Sequence, residues 1–422
     1  MKDIYDVIII GAGACGLFTA INMAEIAPKK KILILEKGKE ALGKVRISGG
    51  GRCNLTNAQE NIHEFIKNYP RGSRELLSSF SRFSNKDTIN WFKQHGVSLK
   101  EEVGGRIFPL SNSSLTVINC FLSLAEKYGI QILYKQNVTA FSYQERLWEV
   151  TLSDTSLHAK HLVITTGSNP KVWQLLSHLG HTIIPPVPSL FTFATKDSFI
   201  ENLAGISTRV TVKLLDSNYH PLKASYVEKQ GVTGDLLITH WGFSGPAILK
   251  LSSFFSRILA LLNYTFLIQV NWLVEEEHTL SFSEALIILQ KEKQKHARKE
   301  LQNYCPFPLA NKLWNRLLDN IRIPAHQLWA ELNKEQLHSL ADTLTASIFH
   351  ISNRATFKEE FVTSGGVCLK EIDFKSFRSK LFPSLYLGGE VLDIDAITGG
   401  FNFQNAWTGG YLIAQAMACE LR

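Results

Sequence analysis

Three glycines, Gly11, Gly13 and Gly16, follow an apolar run at 7–10 and open an apolar, helix-like segment; a second apolar run at 32–35 then closes on Glu36. Apolar strand, Gly-rich turn, helix, strand and terminal acid is the layout of a dinucleotide-binding unit. Each part has a job. Gly11 makes the tight turn, Gly13 leaves the backbone bare beside a pyrophosphate, and Gly16 lets helix and strand pack closely. The unpaired N–H groups of the helix N-terminus face the phosphates. Glu36 accepts hydrogen bonds from a ribose diol and repels a 2′-phosphate.

The next chemical feature is the loop that follows this acid, running through Lys37, Lys44, Arg46, Gly49-Gly50-Gly51, Arg52, Cys53, Asn54 and Thr56. Three consecutive glycines let backbone wrap a ligand, and the cations can neutralise phosphates. Cys53 has no second cysteine nearby, so the sequence offers no dithiol; packing or ligand contact is the expected role. Further on, an apolar run ends at Thr166-Gly167, a turn suited to passing beside a cofactor. Val103–Pro109 contains another Gly-Gly-Arg turn with Arg106, and His240 precedes a Gly-Pro turn.

Near the C-terminus, a short apolar run leads into Gly388-Gly389-Glu390. Asp393, Asp395 and the turn Gly399-Gly400 then lead to Phe401, Asn402 and Phe403 at the start of the last helix. A Gly-rich turn ahead of a helix N-terminus suits a ligand that gathers negative charge, such as the N1–C2=O edge of a reduced flavin. Turn and cap duty is the alternative for the two aspartates.

The 422 residues exceed one ordinary domain. Apolar content of 45% and charged content of 20% fit a globular protein. No apolar run reaches the ~18 residues that span a bilayer and no signal-peptide layout is present, so a cytoplasmic location without membrane association is expected. The six cysteines include no CxxC pair, so no metal site is expected. A net charge of +7 permits an anionic partner without requiring one. The densest basic stretch, 290–299, also contains Glu292 and reads first as a solvated helix face.

Pattern changes divide the chain. Strands alternate with helices up to about residue 184, prolines at 185, 186 and 188 suggest a linker, short strands follow to about 274, and a Leu-, Lys- and Gln-rich helical stretch continues to about 344. The Gly-rich tail rejoins the first part.

Taken together, IIIGAGACGL, ILEKG, GKVRISGGGRCNLTN, GGRIFP, ITHWGFSGPAILKLS, TSGGV and GGEVLDIDAITGGFNFQNAW resemble the HI0933-like (YhiN and BaiN) group of bacterial flavoproteins, within the glutathione-reductase-like superfamily. The resemblance spans nearly the whole chain. One departure is Leu387-Gly388, where relatives often carry Phe-Ala. The resemblance implies an α/β fold with a discontinuous Rossmann-like FAD-binding domain, 1–190 and 360–422. A β-barrel-like domain at 191–275, with part of 345–359, and a helical domain at 276–345 would be inserted in it. It implies FAD held by Gly11, Gly13, Ala14, Gly16, Glu36, Lys44, Arg52, Cys53, Val138, Glu390, Asn402 and Phe403, to which the loops and Gly-rich turns read above add Lys37, Thr166, Gly167, Gly389 and Gly400. It also implies reduction of a polarised C=C bond, with Asn54, Arg106 and His240 as candidates to bind or polarise the substrate. NADH or NADPH would act transiently, since only one nucleotide fingerprint is present. The substrate is expected to be a small molecule or a uracil in ribosomal RNA; a sensor holding FAD without turnover is a further alternative.

Overall fold

The computed structural model describes residues 4–224, 227, 231–276, 278–354 and 362–421. It divides into two compact units, one made of 1–186 with 363–422 and the other of 187–362.

The first unit is built on parallel strands in the order Leu385–Leu387, Ser156–Ile164, Ile4–Ile10, Ile32–Leu35 and Gln131–Leu133; two short strands beyond Leu385–Leu387 and a hairpin, Ala140–Gln144 with Leu147–Thr151, pairing on Ser156–Ile164 bring the sheet to nine strands. Near-continuous Val, Ile and Leu make these strands apolar on both faces, as a sheet covered on both sides requires. The register sets their carboxyl ends level: Ile10 lies opposite Leu35 and Ile164, Leu35 opposite Leu133, and Leu387 opposite Ile164. The segments that leave those ends therefore emerge side by side. They begin with Gly11, Glu36, Thr165 and Gly388.

The Ala14–Ile26 helix buries every residue from Cys15 to Ala24, so it has no solvent face. It packs against the last helix, Phe401–Glu420, at small residues: a β-carbon on Gly410 would lie 2.9 Å from the Cys15 carbonyl oxygen. Phe18, Phe92, Phe121 and Trp407, all buried, fill the space beside these helices.

The second unit carries a seven-stranded antiparallel sheet, in the order Ser347–Ile351, Phe266–Asn271, Ser207–Leu215, Val232–Thr239, Gly242–Ser244, Phe193–Ala194 and Asn353–Arg354. Its two outermost strands are one continuous piece of chain broken only at Ser352. The sheet must therefore curl round on itself, giving the barrel-like form.

One correction applies to the expected organisation. The helical stretch shares the β-rich unit instead of standing alone. Trp272, on the strand side, donates its backbone N–H to the Leu344 carbonyl (2.9 Å) and its indole N–H to Ser347 Oγ (2.9 Å), so barrel and helices have a common core. The Pro-rich stretch expected as a linker does hold the boundary between the units, at 186–187, and forms the strand Ile183–Ser189 of a two-stranded sheet, where proline's missing N–H can face an unpaired edge. The expected domain boundary at 359–360 lies outside the described residues.

Candidate functional site

The nucleotide turn leaves the helix beginning at Ala14 with no side-chain cap, so its first-turn N–H groups are open to a ligand. Gly16 is required by closeness: a β-carbon there would sit 2.0 Å from the Gly11 carbonyl oxygen. At Gly13 a β-carbon would meet nothing within 4 Å, which leaves backbone open on that side. The Thr165 hydroxyl donates toward the carbonyls of Ile10 and Gly11 (3.1 and 3.0 Å) and ties two strand ends together.

Glu36 is fixed before any ligand arrives. One carboxylate oxygen accepts from the Ala12 N–H (2.9 Å), the other from the Gly38 N–H (2.7 Å). Each oxygen keeps a lone pair, enough for a ribose diol. Gln136 N–H donates to the Glu36 carbonyl and Lys135 N–H to the Gly38 carbonyl, which draws the segment holding half-buried Val138 toward this turn. Lys37 is exposed.

Beside Gly167, Lys44 and Glu390 form an ion pair. A β-carbon on Gly167 would lie 3.5 Å from Glu390 Oε2 and 3.7 Å from Lys44 Nζ, so three residues widely separated in sequence share one spot. Thr166 Oγ1, beside them, is buried without a hydrogen-bond partner.

The loop's glycines earn their place through backbone angle. Gly49, Gly50 and Gly51 have φ of +57°, +66° and +81°, a left-handed run that other residues rarely adopt. Arg52 turns from the expected phosphate role: it pairs with Glu102, donates to Asn112 Oδ1 and stacks on Phe108 at 4.1 Å. Cys53 is buried, and burial pushes its thiol up to about 12, which fits the expected packing or ligand contact and disfavours nucleophilic chemistry. Asn54 Oδ1 is buried and unpaired, an acceptor held ready.

At the far end of the crevice the helix starting at Phe401 is preceded by Gly400 (φ +92°) and has no side-chain cap. The Asn402 side chain is engaged elsewhere: it accepts from the Ala396 N–H (2.9 Å) and donates to the Ala396 carbonyl (3.0 Å). Backbone N–H groups at Asn402 and Phe403 are what this turn offers a ligand. The Phe403 ring stacks parallel on Trp407. A chain of buried polar groups, Thr56 to Gln404 (2.7 Å) to Thr408 (3.0 Å), fastens the loop to the helix. Sequence reading missed Gln404, Arg71 and Thr165 as parts of the site. Only Thr165 carried a signal, its place at a strand end.

Arg106 stands opposite Asn57 on a three-stranded sheet that includes Thr56–Asn57, so the fold sets it beside the loop that holds Asn54; it is exposed, with Nε donating to the Val103 carbonyl (3.0 Å). His240 belongs to the second unit, exposed in the turn between Val232–Thr239 and Gly242–Ser244.

The family model described as HI0933-like protein Rossmann domain matches residues 5–416. The chain belongs to this family of FAD-dependent oxidoreductases. It is 28% identical to a ribosomal RNA dihydrouridine synthase of Haemophilus influenzae, across 99% of this chain and 100% of that one. It is 27% identical to a 3-dehydro-bile acid delta(4,6)-reductase of Clostridium scindens, across 97% and 98%. Among solved structures, 3-ketosteroid-delta4-(5alpha)-dehydrogenase from Rhodococcus jostii shares the fold, with a TM-score of 0.52 at 11% identity over 99% of this chain and 98% of that one. No helix among the described residues is long and apolar enough to cross a membrane.

The residues present fit FAD. Two uncapped helix N-termini, the open backbone at Gly13, the fixed Glu36 carboxylate and the buried Thr166 hydroxyl, without a partner among the described residues, lie along segments leaving one level set of strand ends.

Proposed function

We propose that this oxidoreductase reduces a carbon–carbon double bond conjugated to a carbonyl, with NADH or NADPH as the electron source. The names of its relatives point to one chemistry: dihydrouridine formation and a delta(4,6)-reduction next to a 3-oxo group both add two hydrogens across such a bond. FAD, when bound and reduced, supplies the hydride. The chain's own residues do the rest. Ala14 to Gly16 and Glu36 hold the adenosine diphosphate half. Lys44 and Glu390 border the middle, and the uncapped turn after Gly400 stabilises negative charge at the other end. Asn54 and Arg106 hold and polarise the acceptor carbonyl. The observation that carries this reading is the contact of Gly400 with Thr56, which sets the loop bearing Asn54 against the open start of the last helix.

An RNA acceptor is the second reading, favoured by the H. influenzae relative and by one of the same name in Escherichia coli, 25% identical over 97% of each chain. Charge refines where RNA would lie. The first unit holds 27 Lys and Arg against 21 Asp and Glu, the second 18 against 17. Within the basic stretch of the second unit, Lys293 is held by the Leu332 carbonyl and Lys299 lies over Tyr304. The larger net positive charge of the first unit supports phosphate attraction there.

One anaerobic experiment tests both readings. The visible spectrum of the purified protein is recorded, NADH or NADPH is added, and enones or uridine-containing RNA are then supplied. Bleaching followed by acceptor-dependent reoxidation is expected. Absence of flavin from the denatured protein overturns the cofactor assignment; flavin that no conjugated acceptor reoxidises overturns the reaction. Unchanged dihydrouridine in ribosomal RNA after gene deletion removes the RNA reading.

A further inference from the structure

The motif with two aspartates ahead of the last helix is not accounted for by ligand contacts. Asp395 is fully buried, and the Arg71 guanidinium, itself nearly so, grips both its carboxylate oxygens through Nε and a terminal nitrogen. Their backbones also form an isolated antiparallel bridge. The segment around Arg71 holds the site's last turn at several further points. The Asn68 carbonyl accepts from the Ile397 N–H (3.0 Å), the Tyr69 hydroxyl donates to the Phe401 carbonyl (2.6 Å), and Gly72 packs on Ile394. Ala396, next to Asp395, is tied on both backbone groups to Asn402 in the first turn of the helix.

We propose that Arg71 and Asp395 are positioning residues that set the charge balance at the cofactor end of the last helix, and so tune the reduction potential of the bound flavin. The proposal rests on the reading that FAD lies against that helix start. A buried charge is weakly screened. The Asp395 carboxylate opposes the negative charge that reduction places on a flavin, and Arg71 cancels that opposition. Asp393, buried two residues away, and Glu390 lie on the same acidic side of the balance, with Lys44 opposing Glu390.

The test is the midpoint potential of the bound flavin, read by equilibration with reference dyes in the full-length holoprotein, with no acceptor needed. Removing the negative charge in Asp395→Asn is expected to raise the potential. Removing the positive charge in Arg71→Gln is expected to lower it, and the double variant to return toward wild type. A purely structural role predicts shifts of the same sign in both single variants, and that pattern overturns the proposal. If neither single variant retains flavin, Arg71→Lys and Asp395→Glu decide. Each keeps its charge and loses the fork geometry, so an unchanged potential with a lower melting temperature supports the proposal, and a large shift in potential sinks it. Wild-type protein without flavin would instead defeat the cofactor reading on which the proposal rests.

Discussion

Gly400 lies against the Thr56 carbonyl so closely that a β-carbon on it would fall 2.6 Å from that oxygen, and its φ of +92° is one that side chains rarely adopt. These two residues, from opposite ends of the chain, join the cation-bearing loop to the start of the last helix. Gly400→Ala is therefore expected to cost about 1–3 kcal/mol of stability. It should also reduce flavin occupancy, read as the ratio of visible to protein absorbance. Wild-type occupancy and melting temperature in this variant would contradict the contact.

Glu36 organises its own turn as well as a ribose. Glu36→Ala leaves the Ala12 and Gly38 N–H groups without their acceptor, and is expected to weaken FAD binding by about tenfold or more, each tenfold being about 1.4 kcal/mol. Glu36→Gln, which keeps one acceptor oxygen, should fall between. Titration of the apoprotein with FAD, followed by fluorescence quenching, gives both constants.

Cys53 is expected to stay unmodified when the native protein is treated with iodoacetamide near pH 8, because burial holds its thiol at about 12. Exposed Cys419 serves as the internal control and should react. Peptide mass mapping reads both sites. Selective labelling of Cys53 would overturn its assignment to packing or ligand contact.

Asn54→Ala removes a side-chain amide whose Oδ1 has no hydrogen-bond partner among the described residues and whose N–H groups can donate to a carbonyl. Turnover with a conjugated acceptor should fall by about tenfold to a hundredfold, while the flavin spectrum and the rate of bleaching by NADH or NADPH stay near wild type. Loss of bleaching as well would place Asn54 on the cofactor and not on the acceptor.

A pH-dependent term lies away from the site, where His95 Nε2 meets Glu25 at 2.8 Å and the imidazole stacks on Trp91. Burial pushes Glu25 up, but hydrogen bonds from His95 and Tyr128 and the charge of His95 hold it below its usual value. Burial pushes His95 down, and Glu25 with the Trp91 carbonyl more than reverses this. The raised histidine contributes stability that is complete below its ordinary value of 6.5 and is lost as pH rises through its folded pKa. The lowered glutamate contributes stability that is complete above 4.5 and is lost as pH falls through its folded pKa. The difference in melting temperature between wild type and His95→Gln should therefore be greatest between pH 4.5 and 6.5. A difference that is flat with pH would show the pair to be electrostatically silent.

The nucleotide end was legible because its signals are local. Gly11, Gly13, Gly16 and Glu36 act within one strand–turn–helix–strand unit, where spacing along the chain is also spacing in space. The short strand Leu385–Leu387 and the helix opened by Gly400 could be read for the same reason. Side-chain partnerships were not legible. Nothing in the loop sequence says that Arg52 turns to Glu102, that Asn402 is engaged by Ala396, or that Asp395 is met by Arg71 from more than 300 positions away. The helical stretch looked independent because its periodicity is its own, yet Trp272 joins its core to that of the barrel. Sequence alone thus determined the elements and the nucleotide chemistry, since these depend on residues adjacent in the chain. Tertiary structure decided which charges are free for a ligand and which are neutralised, because that depends on packing that brings distant residues together out of water.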